Sequence, residues 1–165
     1  MGGKLPFVLG LIFLMSLTAR AQDKIELFGG YTFERFNASP SVNLNGWEVS
    51  GQYKFVNFLG AVADLDAHYG SPSQVDFRKV SFMAGPQVSF PARVSPFVHI
   101  LVGVGHIRLA GITDNSLSTA VGGGIDMQVA PRFSWRIIQA DDAVTRFFGG
   151  TQHNARISTG IVFRF

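Results

Sequence analysis

Hydrophobic and polar residues alternate along most of the chain after residue 22. A period of two places successive side chains on opposite faces of an extended strand. No segment sustains the 3.6-residue period of an amphipathic helix, and clusters of Gly, Pro, Asn and Ser separate the alternating segments. The pattern therefore predicts eight β-strands. They span residues 24–35, 45–55, 58–69, 77–90, 96–108, 117–129, 133–142 and 154–165.

The connections between these strands alternate in length. Short turns are predicted at residues 56–57, 91–95 and 130–132, and longer connections at 36–44, 70–76, 110–116 and 143–153. Eight antiparallel strands joined in this way describe an up-and-down β-barrel, an all-β fold. Each segment also has about the 9–11 residues that a transmembrane strand needs.

Two of the predicted strands contain an irregularity. In the seventh strand, Gln139 and Asp141 fall on the apolar face unless a β-bulge shifts the alternation. In the fourth strand, Pro86 removes one hydrogen-bond donor from the ladder, and with Gly85 beside it we expect a bulge or a kink.

The two faces of the predicted strands differ in size and charge. One face combines small residues with acidic and basic ones, and the other carries large apolar residues. An eight-stranded barrel is just wide enough for side chains to fill, which suits the face of small and charged residues. Because buried charges require partners, the mixed signs predict a paired polar network in the lumen. Its predicted members are Glu26, Glu34, Glu48, Lys54, Asp64, Asp66, His68, Lys79, Asp126, Arg136, Arg156 and Arg164. A soluble barrel with its apolar face inside fits the alternation equally well.

Aromatic residues concentrate towards both ends of the predicted strands. Near the longer connections lie Tyr31, Phe33, Trp47 and Tyr69, and near the short turns lie Tyr53, Phe55, Phe90, Trp135, Phe163 and Phe165. Two aromatic girdles that flank an aliphatic middle are typical of membrane barrels, whose outer face contacts lipid. This arrangement favours a transmembrane β-barrel over a soluble one.

The first 21 residues have the pattern of a secretory signal peptide. Lys4 precedes an apolar run at residues 7–17, and Ala19-Arg20-Ala21 forms a small-x-small cleavage site. The run is shorter than the roughly 20 residues of a membrane-spanning helix. The sequence therefore predicts a signal peptide at 1–21 and a barrel domain at 22–165.

Composition narrows the possible functions. Only 15% of the residues are charged, whereas soluble domains average about 25%. The absence of cysteine excludes a disulfide scaffold and any cysteine-based metal or nucleophilic site. Residues 22–165 keep 12 basic and 11 acidic residues without a basic tract, so nucleic acid is not indicated as a partner.

Several segments resemble bacterial outer-membrane proteins. The C-terminal HNARISTGIVFRF, with Ile161, Phe163 and Phe165 in alternation, resembles the strand signature that the barrel-assembly machinery recognises. PFVHILVGVGHI and LSTAVGGGIDMQV resemble the fifth and sixth strands of OmpA-like and OmpX-like barrels. RIIQADDAVTRFFGGTQHNARISTGIVFRF resembles the small standalone members of that superfamily. The resemblance implies location in the outer membrane of a Gram-negative bacterium, with membrane lipid and the assembly machinery as partners.

The sequence offers few candidates for chemistry. Asp64, Asp66 and His68 share one face and could serve acid–base catalysis, bind a cation or belong to the lumen network. His99 and His106 lie on separate segments without ligand spacing. His153 lies near the rim, where lipid A deacylases hold a Ser/His pair, but no serine is positioned beside it. We therefore predict no catalytic residue, no cofactor and no metal site.

Three functions are compatible with these features. The first is an integral outer-membrane barrel with a structural or interaction role and a lumen filled by side chains. The second is a narrow pore for ions or small solutes, although wide aqueous channels generally need about 16 strands. The third is a lipid-acting enzyme of the outer membrane or a lipid-binding barrel. The sequence indicates no oligomeric state.

Overall fold

The computed structural model describes residues 24–37, 41–71, 76–147 and 149–165. The predicted signal peptide at 1–21 lies outside these ranges. No helix among the described residues is long and apolar enough to cross a membrane.

Eight antiparallel strands form one closed barrel in sequence order. The strands are β1 (Ile25–Phe36), β2 (Val42–Val56), β3 (Leu59–Gly70), β4 (Phe77–Ser89), β5 (Val94–Leu109), β6 (Ile112–Ala130), β7 (Phe133–Phe147) and β8 (Gly150–Arg164). The ladder between β1 and β8, in which Gly30 lies opposite Gly160, closes the cylinder. This confirms the predicted all-β, eight-stranded antiparallel barrel. We call the end where β1 begins and β8 ends the terminal end, and the other the distal end.

Two of the predicted long connections are wrong. Ala110 and Gly111 alone join β5 to β6, with φ angles of 51° and 84°, as a two-residue hairpin turn requires. The segment predicted as a connection at 110–116 therefore belongs mostly to β6. Likewise β7 continues to Phe147 and β8 begins at Gly150, so most of 143–153 is strand. The reason is that ladder hydrogen bonds join backbone groups and continue after the hydrophobic alternation has ended.

β7 contains the bulge that the alternation of the seventh strand had left open. The register with β8 shifts between Arg136 and Gln139, so that Ile137 and Ile138 both face outwards. Gln139 and Asp141 are thereby turned into the lumen, where they are 1% and 5% exposed. Two consecutive outward residues are the expected result of one extra residue in a ladder.

The bulge expected at Pro86 is absent. Ala84 pairs with Val102 and Gln87 with His99, which is the same register on both sides of Pro86. The β4–β5 ladder is interrupted at Gly85 and Pro86 but does not shift. The missing N–H group of Pro86 therefore interrupts the β4–β5 pairing locally, but it adds no extra residue to either strand.

The polarity of the barrel is the inverse of a soluble protein. On β5, the outward side chains of Val98, Ile100, Val102 and Val104 are 55–62% exposed. The lumen holds the buried polar side chains, so the soluble alternative with an apolar interior is wrong. The lumen is nevertheless not polar throughout, because it also contains buried apolar clusters.

Candidate functional site

Charged residues from distant parts of the chain lie together in the lumen. Ten of the twelve predicted lumen residues are buried, and the other two, Lys54 and Arg164, have side chains 17% and 11% exposed at the terminal end. Strand alternation explains this placement, because every second residue of a closed barrel faces its axis.

Arg156 on β8 is the centre of the lumen network. Its Nε and Nη2 donate to Oδ2 of Asp141 at 2.9 and 2.7 Å, and its Nη1 donates to Oδ1 of Asp64 at 3.0 Å. The same Nη1 lies 3.3 Å from Oδ2 of Asp66. One fully buried guanidinium therefore faces three carboxylates from β3 and β7, which joins strands far apart in sequence.

Hydrogen bonds extend this network across the barrel. Gln139 donates from Nε2 to Oε1 of Glu48 at 3.0 Å and to Oδ2 of Asp141 at 2.8 Å. Ser158 donates to Oε2 of Glu48 at 2.5 Å, and His99 Nε2 lies 2.8 Å from Oδ1 of Asp141. Gln139, Asp141 and His99 were not among the predicted members of this network. The β7 bulge was the signal for the first two.

Asp64, Asp66 and His68, the candidates for acid–base catalysis or cation binding, have different partners. Asp64 and Asp66 face Arg156, whereas His68 Nδ1 lies 2.9 Å from Oδ1 of Asp66 and 3.5 Å from Oε2 of Glu34. Glu34, Asp66 and His68 hold potential metal-ligand atoms within 4.8 Å of one another. Lys79 Nζ, however, lies 2.5 Å from Oε1 of Glu34. The protein's own cations therefore already supply the counter-charge that a metal ion would provide.

A second arginine crosses the lumen towards the terminal end. Arg136 donates to both carboxylate oxygens of Asp126, at 2.8 and 3.1 Å, and to Oε1 of Gln139 at 2.7 Å. Its guanidinium carbon lies 4.3 Å from the ring centroids of Phe28 and Phe97. Aromatic faces on two sides stabilise the buried cation and fill the cross-section at this level.

Apolar side chains close the rest of the lumen. At the distal end Phe36, Leu44, Phe77 and Ile107 pack together, and Val62, Met83, Leu101 and Ala120 form another buried cluster. The cavity beside Phe28 and Arg136 measures about 10 Å³, which is room for about one water molecule. The polar network and the apolar clusters therefore occupy the middle levels of the described barrel.

The outer surface carries the residues of the predicted girdles. Tyr31, Trp47 and Tyr69 are exposed near the distal end, where Tyr31 donates a hydrogen bond to Asn45. Phe33, also near the distal end, is half-buried. Towards the terminal end Tyr53, Phe55, Phe90 and Trp135 are exposed, while Phe163 and Phe165 are half-buried. The Phe163 ring packs against Phe133 and Phe165, with centroids 4.9 and 4.5 Å apart.

The two outward-facing histidines have partners. His153 Nδ1 lies 2.9 Å from Oδ2 of Asp142, with both side chains exposed, and His106 Nδ1 lies 2.6 Å from Oδ1 of Asn115. In the described part of the chain, no serine or threonine hydroxyl hydrogen-bonds to the His153 ring. A serine hydrolase would need such a hydroxyl beside the histidine.

The fold is similar to that of known protein structures, whereas the sequence matches no known family. No protein-family model matches the chain, and no curated protein does. Neisserial surface protein A (NspA) superposes with a TM-score of 0.69 at 17% identity, covering 86% of this chain and 97% of NspA. Ail of Yersinia pestis gives 0.63 at 20% identity, covering 87% of this chain and 100% of Ail. OprG of Pseudomonas aeruginosa gives 0.62 at 10% identity, covering 86% and 95%. The chain has the fold of small outer-membrane β-barrels.

Proposed function

We propose that this protein is an integral barrel of the bacterial outer membrane with a structural or interaction role and a lumen that does not conduct. The observation that carries the proposal is the inverted polarity of the barrel. Valine, isoleucine, leucine and aromatic side chains cover the outside, whereas carboxylates and guanidinium groups pair inside. Only a non-aqueous surrounding makes this arrangement favourable, because exposed apolar surface of this extent is costly in water.

Backbone pairing supports the same location. Lipid offers no hydrogen-bond partners, so a spanning protein must satisfy every N–H and C=O group internally. The β1–β8 ladder leaves no open sheet edge among the described strands. Small outer-membrane barrels solve the problem in this way.

The filled lumen favours a structural or interaction role over a pore. Arg136, with Phe28 and Phe97 on either side, fills the barrel cross-section towards the terminal end. The Arg156 network fills the cross-section further along the axis. Ion passage would require these paired charges to separate in a low-dielectric interior, which costs several kcal/mol per ion. The alternative of a lipid-acting enzyme has less support, since no hydroxyl of the residues that the structure describes contacts the Asp142–His153 pair.

Export and assembly complete the proposal. A leader at residues 1–21 would direct secretion, and Gln22 would then begin the mature chain. The alternating Ile161, Phe163 and Phe165, at the end of β8 and just after it, would engage the assembly machinery. Mass spectrometry of the mature N-terminus tests the first point. Outer-membrane yield of Phe163→Ser, compared with its refolding in detergent, tests the second, because only the cellular yield should fall.

Three measurements test the function. Fractionation of expressing cells should place the protein in the outer membrane, with migration on SDS gels that changes on boiling. Planar bilayers containing the refolded barrel should show no conductance steps, and lipid A from cells with and without the protein should have the same mass spectrum. Recovery in the soluble fraction would overturn the membrane proposal. Reproducible conductance or altered lipid A would overturn the non-conducting or the non-enzymatic part.

A further inference from the structure

The terminal end of the barrel is strongly basic. In the described turns and strand ends there (24–27, 53–60, 88–96, 128–134 and 161–165), five basic side chains accompany one acidic side chain, Glu26. The basic residues are Lys24, Lys54, Arg93, Arg132 and Arg164. The corresponding distal segments (34–37, 41–45, 68–71, 76–79, 106–115, 142–147 and 149–154) hold five basic and four acidic residues. The excess positive charge is therefore a property of one mouth and not of the whole barrel.

This mouth contains a cavity of about 360 Å³. Its polar lining consists of Glu26, Lys54, Asn57, Ser95, Gln128 and Arg164. The backbone of Arg93 and Arg132 adjoins two residues of this lining, because the carbonyls of Arg93 and Arg132 accept the backbone N–H groups of Gln128 and Arg164. Cations outnumber the one carboxylate, Glu26, in this concave site, and an excess of one sign of charge attracts counter-ions.

The cations of the cavity are only partly neutralised. A single oxygen, Oε1 of Glu26, lies 2.6 Å from Lys54 Nζ and 2.7 Å from Arg164 Nε. Glu26 is 5% exposed and carries one charge against two. Neither the Nη groups of Arg164 nor the amide of Asn57 has a hydrogen-bond partner among the described residues. Unused donors and a surplus positive charge thus occur in one concave site.

We propose that the terminal mouth is a binding site for a phosphate group, held by Lys54 and Arg164. The Nη1–Nη2 edge of a guanidinium matches two phosphate oxygens, and an ammonium adds a point charge. A phosphate monoester carries nearly two negative charges at neutral pH, which exceeds what a carboxylate can offer to the same cations. The phosphodiester of a lipid head group carries one negative charge but presents its oxygens to the guanidinium edge in the same geometry. In an outer-membrane barrel short turns face the periplasm. The phosphate would therefore come from a periplasmic solute or from a phospholipid head group of that leaflet.

The direct test uses the folded barrel in micelles of an uncharged detergent, with inorganic phosphate as the probe. Phosphate should produce saturable shifts in the side-chain ¹⁵N resonances of Arg164 and Lys54, and acetate should produce smaller ones. The resonances of Arg146, at the distal end, should not respond. The absence of saturable shifts at Arg164 and Lys54 would overturn the site.

Variants separate a site from general attraction of anions. Lys54→Gln and Arg164→Gln each remove one charged donor and should weaken phosphate binding about tenfold or more. Arg146→Gln makes the same charge change elsewhere and should bind like the original protein. Glu26→Gln removes the competing carboxylate and should tighten binding, whereas a merely structural role of the Glu26 contacts predicts loss. Equal weakening in all three cation variants, or weaker binding in Glu26→Gln, would contradict the proposal.

Nanodiscs distinguish the two sources of phosphate. If phosphatidylglycerol in the disc displaces inorganic phosphate and phosphatidylcholine does not, the site takes a lipid head group. If phosphate binds equally in both discs, it takes a soluble phosphate ester. Gel migration before and after boiling establishes that each variant is folded. Binding in detergent does not depend on cellular location, so a failure of outer-membrane fractionation would leave this site standing.

Discussion

Asp141 and Arg156 lie directly opposite each other on β7 and β8, and Arg156 donates to Oδ2 of Asp141 from both Nε and Nη2. Both side chains are buried, so water and dissolved ions cannot replace this contact. Their contact depends on the β7 bulge, which turns Asp141 inwards. The lumen network is therefore coupled to the backbone geometry of a neighbouring strand.

Replacing Arg156 with Leu should strongly destabilise the barrel. The change leaves Asp64, Asp66 and Asp141 buried without their shared cation, and breaking a buried ion pair in this way costs about 3–5 kcal/mol. Urea unfolding of the barrel in lipid vesicles measures the free energy of unfolding. Arg146→Leu, at an exposed position, should change it by no more than about 0.5 kcal/mol. Similar values for both variants would refute the central role of Arg156.

Deleting Ile137 should be tolerated. The deletion removes the extra residue of the bulge, so that Arg136 and Gln139 still face inwards and the ladder with β8 becomes regular. Deleting Ala140 instead turns Asp141 towards lipid, where a charged side chain destabilises a barrel, and it also removes Asp141 from Arg156. We expect the first variant to keep its heat-modifiable migration and the second to lose it. The opposite order would show that the bulge has a role beyond restoring the alternation.

Val102→Arg tests the lipid-facing surface. Val102 is 55% exposed between the two predicted aromatic girdles, where arginine in a bilayer costs about 2–4 kcal/mol. Val94→Arg makes the same change near the terminal end, where the cost is about 0–1 kcal/mol. Unfolding in vesicles should show the difference. Equal stability of the two variants would indicate that Val102 contacts water.

Glycine at position 103 should resist substitution. A Cβ there would lie 2.0 Å from the carbonyl oxygen of Phe82 and 2.6 Å from the Cα of Met83, so β4 and β5 would have to move apart. Gly103→Ala should therefore cost about 1–3 kcal/mol. Gly29→Ala meets nothing within 4 Å and should be neutral or stabilise by up to about 1 kcal/mol. Denaturant midpoints of the two variants in the same vesicles provide the comparison.

Side-chain alternation was sufficient to predict the strands and their two faces. A period of two is a local property, and it assigned Val102 to one face and Glu48 to the other without knowledge of their neighbours. It was also sufficient to suggest the β7 bulge, because Gln139 and Asp141 conflicted with the pattern. It failed at residues 110–116 and 143–153, since polar side chains do not prevent backbone pairing.

The partners of the lumen charges could be established only from the tertiary structure. Arg156 and Asp64 are 92 residues apart, and their contact depends on how eight strands close into one cylinder. The same holds for Phe28 and Phe97, which enclose Arg136 from different strands. The amino-acid sequence by itself determined an alternating all-β chain with one charged face. Three-dimensional closure decided which charges meet and how little space remains between them, because those distances are set between strands and not along the chain.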